Sequence, residues 1–98
     1  MEQLFIQGTT TELETTVYTV QQSLRLTFIN NLRFSCSVAS VVTISTIKNS
    51  TEYDLYTLTL EEGDTVTDSY SYYLSSGDEF RIKADVVGIT YTVNVTQG

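Results

Sequence analysis

Apolar and polar residues alternate with a period of two along most of the chain. The cleanest run starts at Leu24: Leu24, Leu26, Phe28, Leu32, Phe34, Cys36 and Val38 occupy even positions, while Arg25, Thr27, Arg33, Ser35 and Ser37 occupy odd ones. Such a period buries one face of a strand and leaves the other wet. Asn30-Asn31 interrupts the run, and Asn tolerates the left-handed backbone of a two-residue hairpin, so two strands are predicted there. Gln3 to Gly8 predicts a short first strand, with Leu4 and Ile6 on one face and Phe5 on the other. Thr15 to Val20 predicts the next, closed by a turn at Gln21-Gln22-Ser23.

Beyond these, Val41 to Ile47 predicts a strand with Val42 and Ile44 inward, followed by a polar loop from Lys48 to Glu52. Tyr53 to Leu60 carries Tyr56, Leu58 and Leu60 inward; Val66, Tyr70, Tyr72 and Leu74 line another strand, and Phe80, Ile82 and Ala84 a third. Two Leu-x-x-Gly-Asp turns, at Gly63-Asp64 and Gly77-Asp78, separate these three, which read as an antiparallel meander. Val87-Gly88 shifts the parity as a turn or bulge does, and Ile89, Tyr91, Val93 and Val95 face inward on the last strand.

No window holds a 3.6-residue apolar period. The prediction is an all-β fold of about eight short strands: an antiparallel two-sheet β-sandwich or jelly roll. A single flat sheet would leave half of these apolar faces in water. The chain of 98 residues reads as one domain, 1–98, in which the Thr/Glu-rich stretch 9–16 is a loop or an extended arm laid over a neighbour. There is no proline to protect an edge strand, so copies of the same chain are expected to cover the edges.

Charge narrows the range of partners. Five basic and twelve acidic residues give a net charge of −7. Arg25, Arg33, Lys48, Arg81 and Lys83 are scattered, whereas nucleic-acid binding needs a basic patch to neutralise phosphates. No apolar run is long enough to span a bilayer. The start, Met1-Glu2-Gln3, lacks the basic opening of a signal peptide, so synthesis as a soluble cytoplasmic chain is expected. Cys36 is the only cysteine. It falls on the apolar side of its strand and reads as a buried core thiol, and the chain has no histidine to activate it.

Few residues offer chemistry. The acidic turns, Glu61-Glu62-Gly63-Asp64 with Asp68 and Gly77-Asp78-Glu79, supply oxygens of the kind Ca²⁺ takes, but no Asp-x-Asp-x-Asp-Gly loop organises them. Read as solvated turn acids, they imply neither metal nor cofactor. A pair of carboxylates can hydrolyse a glycosidic bond, yet nothing in so short a chain marks a substrate cleft. Aromatic residues concentrate at Tyr53, Tyr56, Tyr70, Tyr72 and Tyr73. By parity Tyr70 and Tyr72 face the core, leaving Tyr73 as an outward contact residue. Asn49-Ser50-Thr51 and Asn94-Val95-Thr96 match the glycosylation pattern, as chance allows in a Ser/Thr-rich chain.

Several of these segments, taken in order, carry a resemblance. Val17-Tyr18-Thr19-Val20, the apolar strand Leu24–Asn30, the Val/Ile-rich Val38–Ile47, the turns Leu60–Asp64 and Leu74–Asp78, and the valine-alternating Ile89–Val95 resemble a group of small phage virion proteins. That group continues Tyr-Thr-Val with Pro and a Gly-containing loop, where this chain has Gln21-Gln22-Ser23. The resemblance implies a non-enzymatic β-sandwich component of a virion, most readily a capsid decoration or cement protein. Its partners would be copies of itself and other virion proteins, the major capsid protein first among them, with neither nucleic acid nor membrane. Thr9, Thr10, Thr11, Leu13 and Tyr73 are the expected contact residues. The alternatives are a neck, tail or fibre component, or a stand-alone carbohydrate-recognition module working through loops at one end, Tyr73 and nearby acids.

Overall fold

The computed structural model describes residues 2–22, 27–68 and 71–98. The expectations placed on Ser23, Leu24, Arg25, Leu26 and Tyr70 lie outside the described residues. Nine strands form and no helix is present among the described residues: β1 (Glu2–Thr9), β2 (Glu14–Thr19), β3 (Thr27–Ser35), β4 (Ser40–Lys48), β5 (Thr51–Leu60), β6 (Thr65–Asp68), β7 (Tyr72–Leu74), β8 (Glu79–Ala84) and β9 (Thr90–Gln97). They build two antiparallel sheets. One has the order β1-β9-β3-β6, with β7 following β6 along the same side of β3; the other has the order β2-β8-β4-β5. The β-sandwich expected from the alternation is therefore present.

The inward residues of both sheets make one core. Ile29, Leu32, Phe34, Val93 and Val95 meet Val42, Ile44, Leu60, Phe80 and Ile82, all at most 1% exposed. Cys36 is buried beside them, its thiol donating to the Glu61 carbonyl. A polar link closes one side of the sandwich: the Tyr18 hydroxyl donates to the Gln97 amide oxygen, and the Gln97 amide donates to Glu2 Oε1. Burial, with the Glu2 charge as a smaller contribution, pushes the Tyr18 phenol above its ordinary pKa.

Three bulges explain where simple alternation fails. Asn30-Asn31 is not a hairpin. Residues 27–35 form one strand, in which Asn30 pairs Asn94 and Arg33 pairs Thr92, so Asn31 and Leu32 together oppose Val93. Asn31 takes the left-handed φ of 50° that its side chain tolerates, and the extra residue flips the parity. Thr27 and Ile29 point inward before it and Leu32 and Phe34 after it, which puts Phe28 on the outward face. On β5, Tyr56 pairs Ile44 and Asp54 pairs Ser45, leaving Leu55 as an extra residue. Val17 is the corresponding extra residue on β2.

Other boundaries shift as well. The expected loop from Lys48 to Glu52 is a tight hairpin, with Asn49 and Ser50 at φ 51° and 65° and Lys48 paired to Thr51. The single strand expected from Val66 to Leu74 is two, β6 and β7. Val38, expected inside, lies exposed between β3 and β4.

Nor do the two Gly-Asp turns make a meander. Each carries the chain from one sheet to the other, and they are built alike. Gly63 N–H donates to the Cys36 carbonyl and Cys36 N–H to the Asp64 carbonyl; Gly77 N–H donates to the Val20 carbonyl and Val20 N–H to the Asp78 carbonyl. Both glycines sit near φ +80°, where a Cβ is strained. Each Asp side chain accepts the N–H three residues back, Asp64 from Glu61 at 2.9 Å and Asp78 from Ser75 at 2.8 Å. A third corner follows the plan without an Asp. Gly88 N–H donates to the Thr10 carbonyl and Thr10 N–H to that of Ile89, while the Thr10 hydroxyl accepts from Gly88 and Ile89 N–H.

Candidate interaction surfaces

Cross-strand partners share a face, so the register determines what each sheet shows to solvent. The outward face of the β2-β8-β4-β5 sheet is charged and paired with itself. Lys83 Nζ bonds Glu52 at 2.8 Å and Asp54 at 2.7 Å, and Arg81 lies within 4 Å of Glu14, Glu52 and Glu79 while donating to Thr16 Oγ1. Donating hydrogen bonds to Asp54 and Glu52 holds the Lys83 ammonium above its ordinary pKa.

The other outward face is nearly free of charge. Its rows read Gln3–Thr96–Phe28–Tyr73, then Phe5–Asn94–Asn30, then Gln7–Thr92–Arg33–Thr67, then Thr9–Thr90–Ser35–Thr65. Arg33 is exposed and has no ion pair among the described residues, unlike Lys48, Arg81 and Lys83, the other described cations. Phe28 and Tyr73 pair edge to face, with ring centroids 5.7 Å apart, and Phe5 is 63% exposed.

A third surface lies along the β5 edge. Tyr53 and Tyr56 pair with Thr46 and Ile44, which point inward, so both tyrosines stand on the core side of the sheet. They are nonetheless 51% and 44% exposed, and the bulged Leu55 between them is 38% exposed. Tyr56, expected inside, is thus only half covered, because the β4–β5 hairpin carries it out past the packed core.

The expected contact residues fall into two groups. Thr9, Thr10, Thr11 and Leu13 lie at the end of the sandwich where β1 stops, and Tyr73 lies at the opposite end. Thr9 pairs Thr90 and Tyr73 stands in the row of Thr96, six residues along β9, or roughly 20 Å at strand rise. Thr10 is 3% exposed and its hydroxyl is used within the chain. Thr9, Thr11 and Leu13 are exposed. The Leu13 carbonyl accepts from Ala84 N–H, and Asp85 bonds Val41 in both directions, which brings exposed Leu13, Val41 and Val87 to one end. Sequence reasoning missed the β5 edge and the outward position of Phe28. Both depend on bulges, for which the only signals were Asn31 and the broken alternation at Leu55.

The acidic turns hold no shared site. Asp64 and Asp78 cap their own corners, and Asp78 also pairs with Lys48. Asp68 accepts from the Tyr72 hydroxyl. Among the described residues no group of three or more potential metal ligands occurs, and no helix is long and apolar enough to cross a membrane.

No protein-family model and no curated protein sequence matches the chain. Solved structures do. The globular domain of the zebrafish complement 1qA protein is 8% identical with a TM-score of 0.58, over 95% of this chain and 93% of that one. A pentameric capsid protein from metagenomic phage sequences is 12% identical with a TM-score of 0.55, over 97% and 67%. A chain from Bacillus endospore appendages, described as disulfide-linked pili, is 13% identical with a TM-score of 0.55, over 98% and 85%. Likeness at such identities establishes the shared β-sandwich fold.

Proposed function

We propose that the protein is a non-enzymatic structural building block that assembles with copies of itself, and more finely a decoration protein on the capsid of a phage. The observation that carries the first part is the β5 edge. Residues 51–57 are all exposed and include Tyr53, Leu55 and Tyr56 within four positions. An uncovered edge strand offers unpaired backbone groups, and large apolar side chains along it favour pairing with another chain. The end formed by Leu13, Val41 and Val87 supplies a second, separate contact. Two contacts on one chain allow a lattice in which weak single contacts add up to firm attachment.

The virion setting draws on the order of motifs from Tyr18 to Val95 and on the fold shared with a pentameric phage capsid protein. Attachment to the major capsid protein is favoured over a neck, tail or fibre role because these 98 residues carry no fibre repeat. The absence of any histidine and the use of the turn carboxylates as structural caps are consistent with a non-catalytic role.

Light scattering over a concentration series tests the assembly. The wild-type chain is expected to form a defined oligomer, and Leu55→Lys to lower its mass to that of a single chain while leaving the circular dichroism spectrum unchanged. A wild-type monomer at every concentration would refute assembly through this edge. Leu13→Glu tests the second contact without disturbing β1, which is an integral strand of its sheet.

A further inference from the structure

We propose that the outward face of the β1-β9-β3-β6 sheet is a binding site for a neutral oligosaccharide. A depression of about 360 Å³ opens there, and among the described residues its polar side chains are those of Gln3, Asn30, Asn31, Ser71, Asn94 and Thr96. None of these ionises. A smaller depression of about 250 Å³ adjoins it, sharing Asn30, Ser71 and Thr96 and bordered by Phe28.

The chemistry of the lining selects the ligand class. A carboxamide presents donors and an acceptor together, and a hydroxyl does the same on one oxygen. Sugar hydroxyls have that dual character, so a row of amides and hydroxyls matches them without charge. Among the described lining residues a phosphate or carboxylate would find no cation, and a cation would find no anion. Arg33 stands one row beyond, outside the depression.

The apolar side of a pyranose packs on an aromatic ring, and Phe28 borders the smaller depression, with Tyr73 and Phe5 beside the site on the same face. Tyr73, 50% exposed, pairs with Phe28 in the row next to Asn30, and exposed Phe5 stands directly across from Asn94. Pockets for small ligands combine such apolar surface with a few placed polar groups.

The site is also held in place before any ligand arrives. Most of its lining residues are strand positions fixed by the register. The Asn30 amide donates to Thr96 Oγ1 at 3.3 Å and accepts from Ser71 Oγ at 2.6 Å. That orients the group and leaves its second N–H free to donate. Little ordering is needed on binding, which favours a shallow site. This arrangement differs from the loop-and-acid site expected from the sequence: the polar partners are amides on a sheet face, and only Tyr73 is common to both.

Nuclear magnetic resonance titration tests the proposal. The Leu55→Lys chain is used, so that the result does not depend on self-assembly. The probes are maltohexaose, hexa-N-acetylchitohexaose and an oligogalacturonide. The expected result is that at least one neutral oligosaccharide shifts the amide signals of Asn30, Ser71, Asn94 and Thr96. Asn94→Ala should weaken that binding about tenfold, as the loss of a hydrogen-bond pair does, and Tyr73→Ala should weaken it independently. Ser71→Ala serves as the check if either variant fails to fold. No shift with any of the three would overturn the proposal. So would shifts with the oligogalacturonide alone, which would place the contact at Arg33, or shifts confined to other surfaces.

Discussion

The two outward faces of this sandwich are built on similar strands and behave oppositely. On the β2-β8-β4-β5 face, Lys83 and Arg81 lie among Glu14, Glu52, Asp54 and Glu79, and each cation has partners within its own chain. On the β1-β9-β3-β6 face, among the described residues, Arg33 has no counter-ion and Asn94 makes no side-chain hydrogen bond, and Phe5 and Tyr73 are at least half exposed. A face whose polar groups satisfy one another has little to gain from a partner. A face with unused amides and bare rings gains from being covered. The difference separates a face whose charges pair with one another from a face of bare rings and neutral amides, although the chain as a whole carries a net charge of −7.

The largest effect should erase the contrast. Beneath the faces the sheets share one core, and Phe34 and Phe80, one from each sheet, are both fully buried. Either Phe→Ala substitution is expected to cost about 3–5 kcal/mol, whichever face lies above, as read by urea denaturation. Unequal costs well outside that range would mean that one sheet carries the fold alone.

A smaller effect should separate the faces. Lys83→Glu removes two close ion pairs and adds a fifth carboxylate to the group, so a loss of about 1–2 kcal/mol is expected. Arg33→Glu makes the same change of charge where nothing pairs with it, and should stay within about 0.5 kcal/mol of wild type. Equal losses would show that the pairing on the charged face contributes nothing.

The smallest effect is the pH dependence. The folded pKa of Lys83 is raised above its ordinary 10.5, so its contribution is fully present below that value and is lost as pH rises through the folded pKa. Tyr18 is also raised, from 10.0. Above pH 10 the unfolded chain gives up the tyrosine proton first, binds fewer protons than the native state, and gains stability relative to it. Both groups therefore act in one direction, and stability should fall as pH rises from about 10. Tyr18→Phe should remove part of that fall and delete one step, above the ordinary tyrosine value, from the ultraviolet tyrosine titration.

Much of this fold is visible in the alternation, and the losses have identifiable causes. Val42, Ile44, Leu58, Leu60, Phe80, Ile82, Val93 and Val95 point inward as a period of two requires. Thr27 and Phe28 exchange roles because the bulge at Asn31 adds one residue, and an extra residue reverses every side chain on one side of it. The Gly-Asp turns are recognisable as turns, but local sequence does not say whether a turn returns to its own sheet or crosses to the other. The crossing is set by Cys36 and Val20, which are distant in the chain and receive each corner. Tyr73 is identified as outward by its neighbours at Tyr72 and Leu74. The β5 edge is not identifiable in this way, because its exposure depends on where the other sheet ends.

Hydrogen–deuterium exchange on the wild-type chain, compared between dilute and concentrated solution, tests the central claim most directly. The account predicts that backbone amides of residues 51–57 become protected as concentration rises, while those of β2 and β8 beneath the charged face exchange at unchanged rates. Protection over β2 and β8 with none at residues 51–57, or no change anywhere, would contradict a building block that assembles through its β5 edge.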